Sequence, residues 1–292
     1  MASVDTTTNA GQLLAAASGG RRRVGDRVFS NVAVIAAVTI LALLAGVAIF
    51  LVSEGLPALT DPDATPFIDY VAPLAFGTVL AAAFAVVIAV PLAVAAALFI
   101  THIAPQRVAL TLGYLVDLLA AIPSIIYGLW GIFVLGPAAV PVMQWLEEKL
   151  GFIPLFEGPA SATGRTMFVA GLVLAVMILP IVSAVAREVF SQTPRKLQEA
   201  ALSMGATRWE MIRMTVLPFG KSSVISGAML GLGRALGETM AVTIILSVSG
   251  IVTFNLISSA NPSTIAANIA LDFPESSGLA VNTLIATGLV LF

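Results

Sequence analysis

The sequence contains no cysteine and only one histidine, His102, among its 292 residues. Without cysteine, disulfide bonds and thiolate metal sites are excluded. One histidine is too few for a histidine-rich metal site, so we expect His102 to be a structural residue at a helix end. Charge is scarce as well, at 10% of residues against about 25% in soluble domains. Hydrophobic residues make up 59% of the chain, a composition typical of a polytopic membrane protein.

Six apolar stretches approach the length of about 20 residues that a helix needs to cross a bilayer. The last of them stops at Phe292 after 15 residues, and we interpret it as a sixth span whose end is truncated in this sequence. Between the third and fourth spans, apolar residues at helical spacing over positions 142–150 predict a short amphipathic helix on the outer surface. The predicted spans are Val28–Val52, Pro73–Ile103, Leu110–Leu135, Thr166–Ala186, Ser222–Val248 and the run from Gly278.

The basic residues predict an orientation. Most of the 14 Lys and Arg residues lie before the first span, after the second and after the fourth, whereas the alternate loops are acidic and hold only Lys149 and Arg165. Basic loops stay in the cytoplasm, so we expect a multi-pass protein with a cytoplasmic N-terminus. Residues 1–27 are polar and small, which predicts a disordered cytoplasmic tail, and residues 28–292 form the predicted transmembrane domain.

The most organised polar stretch connects the fourth and fifth spans. Thr193-Pro194 predicts the start of a helix, and Gly205 predicts its left-handed end. Thr207 and Glu210 have the T-x-x-E spacing of a capping box, which predicts a second helix, and Pro218 is expected to break that helix before the fifth span. Such a helical hairpin suits docking into a cytoplasmic partner. On the pattern alone, a merely solvated hairpin is equally compatible.

This stretch, at about residues 190–220, resembles the EAA loop of ABC importer permeases. The family pattern is E-A-A-x3-G-x9-I-x-L-P, and the chain follows it except at Thr215, where isoleucine is usual. In that family the loop contacts the ATPase subunit and transmits its motion to the membrane. The residues for which the resemblance implies coupling roles, on the loop and its second helix, are Glu199, Ala200, Ala201, Gly205, Thr207, Trp209, Leu217 and Pro218. On that helix Trp209, Ile212 and Val216 are predicted to share one face.

Two further segments, IPSIIYGLWGIFVLGP (122–137) and GLGRALGETMAV (231–242), narrow the resemblance. Over about residues 25–292 the chain looks like the PstC-type permeases of phosphate ABC importers. The resemblance implies an all-α, MetI-like permease of six transmembrane helices in a prokaryotic cell membrane. It also implies a subunit without catalysis or a cofactor of its own. The implied partners are a PstA-like permease, a PstB-like ATPase dimer that binds ATP and Mg, and a PstS-like phosphate-binding protein, with no nucleic acid.

Arg234 and Glu238 carry charge near the middle of the predicted fifth span. An arginine at the bilayer centre costs roughly 2.5–3.5 kcal/mol, and four residues of spacing allow the two side chains to pair. A helical wheel places both on the stripe of Gly227 and Gly231, where another helix can approach closely. We therefore expect them to face a neighbouring helix or the substrate pathway. Glu238 would hold Arg234 until phosphate displaces it, or the pair would only lock two helices.

Asp117, in the third span near the inner interface, is a lesser candidate with structural and gating roles equally open. Other functions also remain open. A permease for another oxyanion, such as sulfate or molybdate, would use the same loop and also need a cation in its path. A passive channel or membrane scaffold would have no need of the coupling loop. A membrane enzyme is disfavoured, because no nucleophile–base pair or metal-ligand cluster is visible in the sequence.

Overall fold

The computed structural model describes residues 24–61, 66–247 and 249–292. The chain divides into two compact units, one ending at Ser53 and the other beginning at Glu54, which are described separately. The regular structure of these described ranges is helical throughout, which confirms the all-α class. The helices are α1 (Val24–Thr60), α2 (Phe67–Leu98), α3 (Gln106–Ala120), α4 (Ser124–Trp130), α5 (Gly136–Leu150), α6 (Met167–Ser191), α7 (Arg195–Ser203), α8 (Arg208–Met211), α9 (Leu217–Leu236), α10 (Met240–Ile245), α11 (Ile265–Asp272) and α12 (Leu279–Leu291).

The first unit is the part of α1 that ends at Ser53. Its residues 28–52 are apolar on every side, as a helix in contact with lipid requires. The predicted first span therefore lies within a helix, and that helix continues to Thr60. Of the predicted N-terminal tail, residues 1–23 lie outside the described part of the chain.

In the described part of the chain, four helices are long and apolar enough to cross a membrane: Val28–Thr60, Phe67–Ile103, Ser124–Leu150 and Met167–Ser191. The first, second and fourth predicted spans are confirmed, with ends that differ by several residues. The third is wrong. The helix stops at Ala120 and restarts at Ser124, because Pro123 has no N–H to donate and keeps the residue before it out of the helical region.

The restarted helix runs without interruption from α4 into α5 and ends at Leu150. The separate amphipathic helix predicted over 142–150 is therefore wrong, since these residues are the last turns of a membrane-length helix. Within them Met143 is fully buried while Trp145 is exposed. The amphipathic pattern thus reflects packing of one face of a long helix on the bundle.

The predicted fifth span is also interrupted. Helix α9 ends at Leu236 and α10 begins at Met240, so residues 237–239 form a break inside the apolar run. Val248, the predicted end of the span, lies outside the described residues. The apolar run from Gly278 forms the 13-residue helix α12.

Within the described residues, three turns of wider π-helix each precede a proline by two residues. They are Phe99–Ile103 before Pro105, Gly131–Leu135 before Pro137, and Ile212–Val216 before Pro218. A proline ring clashes with the carbonyl one turn before it and donates no hydrogen bond. The wider turn re-pairs the neighbouring groups, as when Leu217 N–H donates to the Ile212 carbonyl. The predicted break at Pro218 is therefore wrong, and the helix continues.

Helix α6 lies at the centre of the second unit and packs against α2, α3 and α9. Its contact with α2 uses alanines four residues apart on α2, each at most 1% exposed: Ala81, Ala85, Ala89, Ala93 and Ala97. Such a stripe of small side chains lets two helix backbones approach closely in lipid. Gly171 of α6 serves the same purpose, since a Cβ there would lie 2.2 Å from the Phe84 ring.

The connection after α10 is not a solvated loop, although the sequence places it outside the membrane. Its residues 256–258 and 261–264 are buried. Leu256 N–H donates to the Leu155 carbonyl at 2.9 Å, and the Leu256 carbonyl accepts from Phe168 N–H at 2.8 Å. The protein itself therefore supplies the hydrogen-bond partners that this buried, non-helical backbone needs.

Candidate functional site

The two interrupted helices meet each other. Helix α4, which follows the first break, packs against α10, which follows the second. The contact depends on small residues: a Cβ on Gly128 would lie 3.0 Å from the Ala241 Cα, and one on Gly131 would lie 2.6 Å from the Ile245 side chain. Both breaks are therefore held in one region of the bundle, where backbone groups freed from helical pairing lie near one another.

Tyr127 forms a hydrogen bond across the first break. Its side chain is 6% exposed, and its hydroxyl donates to the Leu119 carbonyl at 2.8 Å. That carbonyl belongs to the last turn of α3, where intrahelical partners run out. The charge of Arg234 acts electrostatically on the same hydroxyl. Arg234 therefore lies within electrostatic range of the first break.

Arg234 lies in the last turn of α9 and is exposed. A cation at this end of a helix interacts favourably with the helix dipole. Its guanidinium makes no hydrogen bond or ion pair with any residue that the structure describes. The predicted pairing with Glu238 is therefore wrong. Arg234 keeps all its N–H donors available on the surface of this subunit.

Glu238 has a different partner. It is only 7% exposed, and its Oε1 accepts a hydrogen bond from the Ala241 N–H at 3.1 Å. Its carboxylate thus satisfies one of the free donors in the first turn of α10. The wheel that placed Glu238 beside Arg234 assumed a continuous helix, and the helix ends between them. Glu238 shapes the break that follows Arg234.

The glycine stripe of α9 makes the close helix contact that the sequence predicts. Gly227 and Gly231 are buried, and a Cβ at either would lie 3.1 Å from a valine of α6, Val185 or Val182. Arg234 lies beside this stripe, outside the buried contact. The glycines therefore fix α9 against the central helix and leave the arginine on the open side.

The coupling loop has most of the predicted local features. Gly205 has a φ of +88°, the left-handed conformation expected after α7. In the capping box, the Thr207 hydroxyl accepts from Glu210 N–H at 3.3 Å, and the Glu210 carboxylate accepts from Thr207 N–H at 2.8 Å. The bond from the Thr207 backbone, followed by that from its hydroxyl, lowers the pKa of Glu210. Both of these predictions are confirmed.

Two other predictions about this loop are wrong. Thr193 does not cap α7, which begins after Pro194 without a side-chain cap. The Thr193 hydroxyl is instead buried and has no partner among the described residues. Trp209 does not share a face with Ile212 and Val216. Those two residues are buried, whereas Trp209 is 60% exposed, because the bundle covers only the opposite side of this helix.

The loop therefore has an anchored face and an open face. Ala201, Met211, Ile212 and Val216 form a buried cluster with residues of α2 and α6, among them Phe190. The open face carries Glu199, Ala200 and Gly205, together with Thr207 and Trp209, and Pro218 is also exposed. Leu217 is partly buried against the cluster. The anchored face joins the loop to the bundle, and the open face is exposed.

An ion pair that the sequence did not predict joins α3 and α6. Arg187 Nη2 donates to Asp117 Oδ1. The sequence singled out Asp117 but assigned Arg187 only to a basic loop. The predicted structural role of His102 fits its surroundings: it is half-buried, and its Nδ1 lies 2.7 Å from the Thr101 hydroxyl.

A helical bundle with a discontinuous helix, and with an exposed loop anchored to it, has the architecture of a membrane transport subunit. Over residues 90–292 the chain matches the binding-protein-dependent transport system inner membrane component family, and it belongs to that family. It is 50% identical over 239 residues to the phosphate transport system permease protein PstC 2 of Mycobacterium tuberculosis. That alignment covers 77% of this chain and 74% of the relative.

Relatives from other bacteria share the resemblance. The chain is 38% identical over 283 residues to the phosphate transport system permease protein PstC of Mesorhizobium japonicum, covering 91% of this chain and 85% of the relative. It is 43% identical over 222 residues to the protein of the same name from Pasteurella multocida, covering 74% and 68%. The similarity therefore extends well beyond the coupling loop.

Proposed function

We propose that this chain is the permease subunit of an ATP-driven importer of inorganic phosphate and that phosphate crosses the membrane beside Arg234. The relatives named above support phosphate as the substrate. The observation that carries the proposal is the continuous helix from Arg208 to Leu236, which joins the coupling loop directly to Arg234. The subunit itself catalyses no reaction, and a partner ATPase binds and hydrolyses ATP with Mg.

Arg234 has the chemistry for a transient phosphate contact. A guanidinium remains charged at physiological pH and matches phosphate oxygens with two parallel hydrogen bonds. No carboxylate of the described residues pairs with it, and Glu238 is bonded to the backbone of α10. Glu238 acts as a positioning residue: it holds the break in the fifth span that ends α9 just after Arg234.

The helix provides the mechanical link. From Arg208 to Arg234 it extends about 40 Å at 1.5 Å per residue. The buried cluster around Phe190 and Ile212 fixes the base of this helix to α2 and α6. Movement of the loop by the ATPase is therefore transmitted to the Arg234 end, where the break at residues 237–239 separates it from α10. The subunit alternates between states open to either side, and the bound nucleotide biases their populations.

The proposed complex contains a homologous PstA-like permease, a PstB-like ATPase dimer and a PstS-like phosphate-binding protein. The ATPase docks on the open face of the loop, where Glu199, Ala200 and Trp209 are exposed. Large exposed apolar residues on this face, Met204 and Trp209, suit a cleft in a partner. The N-terminus and the loop are placed in the cytoplasm, because the basic residues cluster on that side.

The test is ATP-driven uptake of radiolabelled phosphate by the assembled complex in proteoliposomes, in competition with sulfate or molybdate. We expect unlabelled phosphate to compete and the other oxyanions to compete weakly. Stronger competition by sulfate or molybdate would assign the permease to that oxyanion. Uptake that continues without ATP would instead indicate a passive channel. Co-purification of an ATPase, a second permease and a phosphate-binding protein checks the composition.

A further inference from the structure

A cavity lies between α3 and α6, on the side of the coupling loop. Its volume is about 580 Å³, and it is lined by different residues from those around Arg234. The polar groups that line it include Thr101, Gln106, Tyr114, Asp117, Arg187 and Ser191. Arg187 supplies the only arginine or lysine side chain of this lining.

Arg187 enters this cavity across Gly113. A Cβ at position 113 would lie 2.7 Å from one terminal nitrogen of the guanidinium, so the glycine leaves the space that the guanidinium occupies. The Arg187 side chain is 17% exposed, whereas that of Asp117 is 57% exposed. The arginine is thus held in the wall of the cavity, and its carboxylate partner lies in the more hydrated position.

The guanidinium is only partly satisfied. One terminal nitrogen donates to Asp117, while the buried Nε has no hydrogen-bond partner among the described residues. A guanidinium has five N–H donors, so one carboxylate oxygen leaves most of them without a partner. A tetrahedral oxyanion with several acceptor oxygens would satisfy them better than one oxygen of Asp117.

Glu188 also lines the cavity and opposes anion binding. Its Oε1 accepts a hydrogen bond from the Gln192 side chain at 2.7 Å, which directs that carboxylate along α6. Asp117 is the other negative group in the lining. An anion that reaches Arg187 therefore competes with Asp117 and is repelled by Glu188, so binding is expected to be weak and reversible, as release into the cytoplasm requires.

The cavity is connected to the coupling loop. Arg187 and Phe190 lie in the last two turns of α6, and Phe190 is buried in the cluster that anchors the loop. Movement of the loop relative to α3 would change the distance between Arg187 and Asp117. Anion binding at Arg187 is therefore sensitive to the state of the ATPase.

We propose that Arg187 forms a second oxyanion site at which phosphate displaces Asp117 before it is released to the cytoplasm. This inference rests on the proposed import of phosphate. The site is distinct from Arg234 and lies nearer the coupling loop.

The test uses the absence of native cysteine from this chain. In the assembled complex, Ser191→Cys places a single thiol of this subunit in the cavity lining, and its reaction with a maleimide is followed on this chain. We expect inorganic phosphate to slow labelling, while chloride at equal ionic strength does not. Ser277→Cys, at an exposed position before α12 and outside the coupling loop, is the control and should not be protected.

In the Ser191→Cys background, Arg187→Gln should raise the phosphate concentration needed for protection by about tenfold or more, since hydrogen bonds to a charged group are lost. Asp117→Asn should lower that concentration, because the competing carboxylate is removed. Arg107→Gln is the matched control for local charge, and it should leave protection unchanged. An equal effect of Arg107→Gln and Arg187→Gln would overturn the site in favour of general electrostatics.

A structural role makes different predictions. If the pair is only a clamp between α3 and α6, Asp117→Asn should weaken protection as much as Arg187→Gln does, and that result would overturn the proposal. Protection by vesicles of anionic lipid without added phosphate would assign the site to a lipid headgroup and also overturn it. A complex that imports phosphate but shows no protection refutes this site alone. If phosphate protects the thiol in a complex that does not import phosphate, the site is retained and the import function is refuted.

Discussion

The carboxylate of Glu238 accepts a hydrogen bond from the backbone N–H of Ala241 at 3.1 Å, across the break that interrupts the fifth predicted span. It therefore stabilises the first turn of α10 and is not the counter-ion of Arg234. The sequence spacing of Arg234 and Glu238 predicted an ion pair, but the hydrogen bond to Ala241 gives Glu238 a different partner. This relationship also determines which property of each side chain a mutation should affect.

For Glu238, the acceptor oxygen should matter more than the charge. Glu238→Ala leaves the Ala241 N–H without its partner, and we expect a loss of about 1 kcal/mol, as for other helix caps. Glu238→Gln keeps an acceptor oxygen and should remain near wild-type stability. Thermal unfolding of the purified complex measures both. Equal destabilisation by the two variants would show that the negative charge, rather than the hydrogen bond, is required.

For Arg234, charge and geometry should both matter. Arg234→Gln removes the cation, and we expect phosphate uptake to fall by on the order of 10- to 100-fold, the range for losing a hydrogen bond to a charged group. Arg234→Lys keeps the charge but loses the planar fork, so its uptake should be intermediate. Uptake is measured in proteoliposomes at equal content of assembled complex.

Arg107→Gln, which removes an exposed charge at the start of α3, is the control for this experiment. Its uptake should match the wild type. Wild-type uptake by Arg234→Gln with normal assembly would contradict a role for Arg234 in the pathway. The measurement also separates substrate handling from folding, because Arg234 is exposed and makes no hydrogen bond or ion pair within the described structure.

The sequence does not predict where the membrane helices are interrupted. Pro91 and Pro180 lie inside α2 and α6 without interrupting them, whereas Pro123 follows a helix end and Glu238 lies in a break. A proline or glycine in an apolar run therefore does not decide continuity. The decision depends on tertiary contacts such as that of Gly128 with Ala241, which join residues more than a hundred positions apart.

The coupling loop shows the opposite case. Thr207 and Glu210 are three residues apart, and their reciprocal hydrogen bonds require no other part of the protein. Gly205 likewise adopts its left-handed conformation for a local reason. These features were predictable. The exposure of Trp209 was not, because it depends on which side of the helix the bundle covers, and the sequence pattern alone does not say.

Gly77 allows the buried connection between α10 and α11 to approach α2. A Cβ at this position would lie 2.2 Å from the Ser263 carbonyl oxygen, which belongs to the backbone and cannot rotate away. Gly77→Ala should therefore destabilise the complex by about 1–3 kcal/mol, the usual range for overpacking. The control is Gly46→Ala, because a Cβ there meets nothing within 4 Å. That variant should be neutral or slightly stabilising in a thermal unfolding measurement. Equal unfolding temperatures for the two variants would contradict the close approach.

The capping box should control the local stability of the second coupling helix. Thr207→Ala removes the oxygen that accepts from Glu210 N–H, and amide exchange over residues 208–211 should become about fivefold faster, as expected for the loss of about 1 kcal/mol. Thr207→Ser retains the oxygen and is the control. Hydrogen exchange of the assembled complex, read by mass spectrometry, provides the measurement. Unchanged exchange in Thr207→Ala would mean that contacts with the bundle hold this turn.

The stability that this capping box gives to the second coupling helix should depend on pH. The hydrogen bonds from Thr207 lower the pKa of Glu210 below its ordinary value of 4.5. The folded-state pKa is therefore below the unfolded one, so the stabilisation is fully present above about pH 4.5 and is lost as the pH falls through the folded-state pKa. After correction for the intrinsic pH dependence of amide exchange, the exchange rate over residues 208–211 should be constant near neutral pH. It should rise in acid. Glu210→Gln should abolish that acid-dependent rise.

Asn261 should be the position of the connection between α10 and α11 at which substitution destabilises the protein most. Its side chain is fully buried. Its Oδ1 accepts from Met167 N–H at 2.9 Å, and its Nδ2 donates to the carbonyls of Arg165 at 3.0 Å and Ser247 at 3.2 Å. It thus joins the start of α6 to the segment after α10. Asn261→Ala leaves these groups without partners, and each such buried group costs about 1–3 kcal/mol.

We therefore expect Asn261→Ala to lower the unfolding temperature of the complex more than any of the cap variants. Asn282→Ala is the matched control, because the Asn282 amide donates to a single carbonyl, that of Glu54. Asn261→Asp is the informative intermediate. It keeps the acceptor for Met167 N–H but loses both donors and introduces a buried charge, so it should be at least as destabilising as Asn261→Ala. If Asn261→Ala and Asn282→Ala unfold at the same temperature, the connection between α10 and α11 is held by its apolar contacts at Leu256 and Ile257 rather than by Asn261.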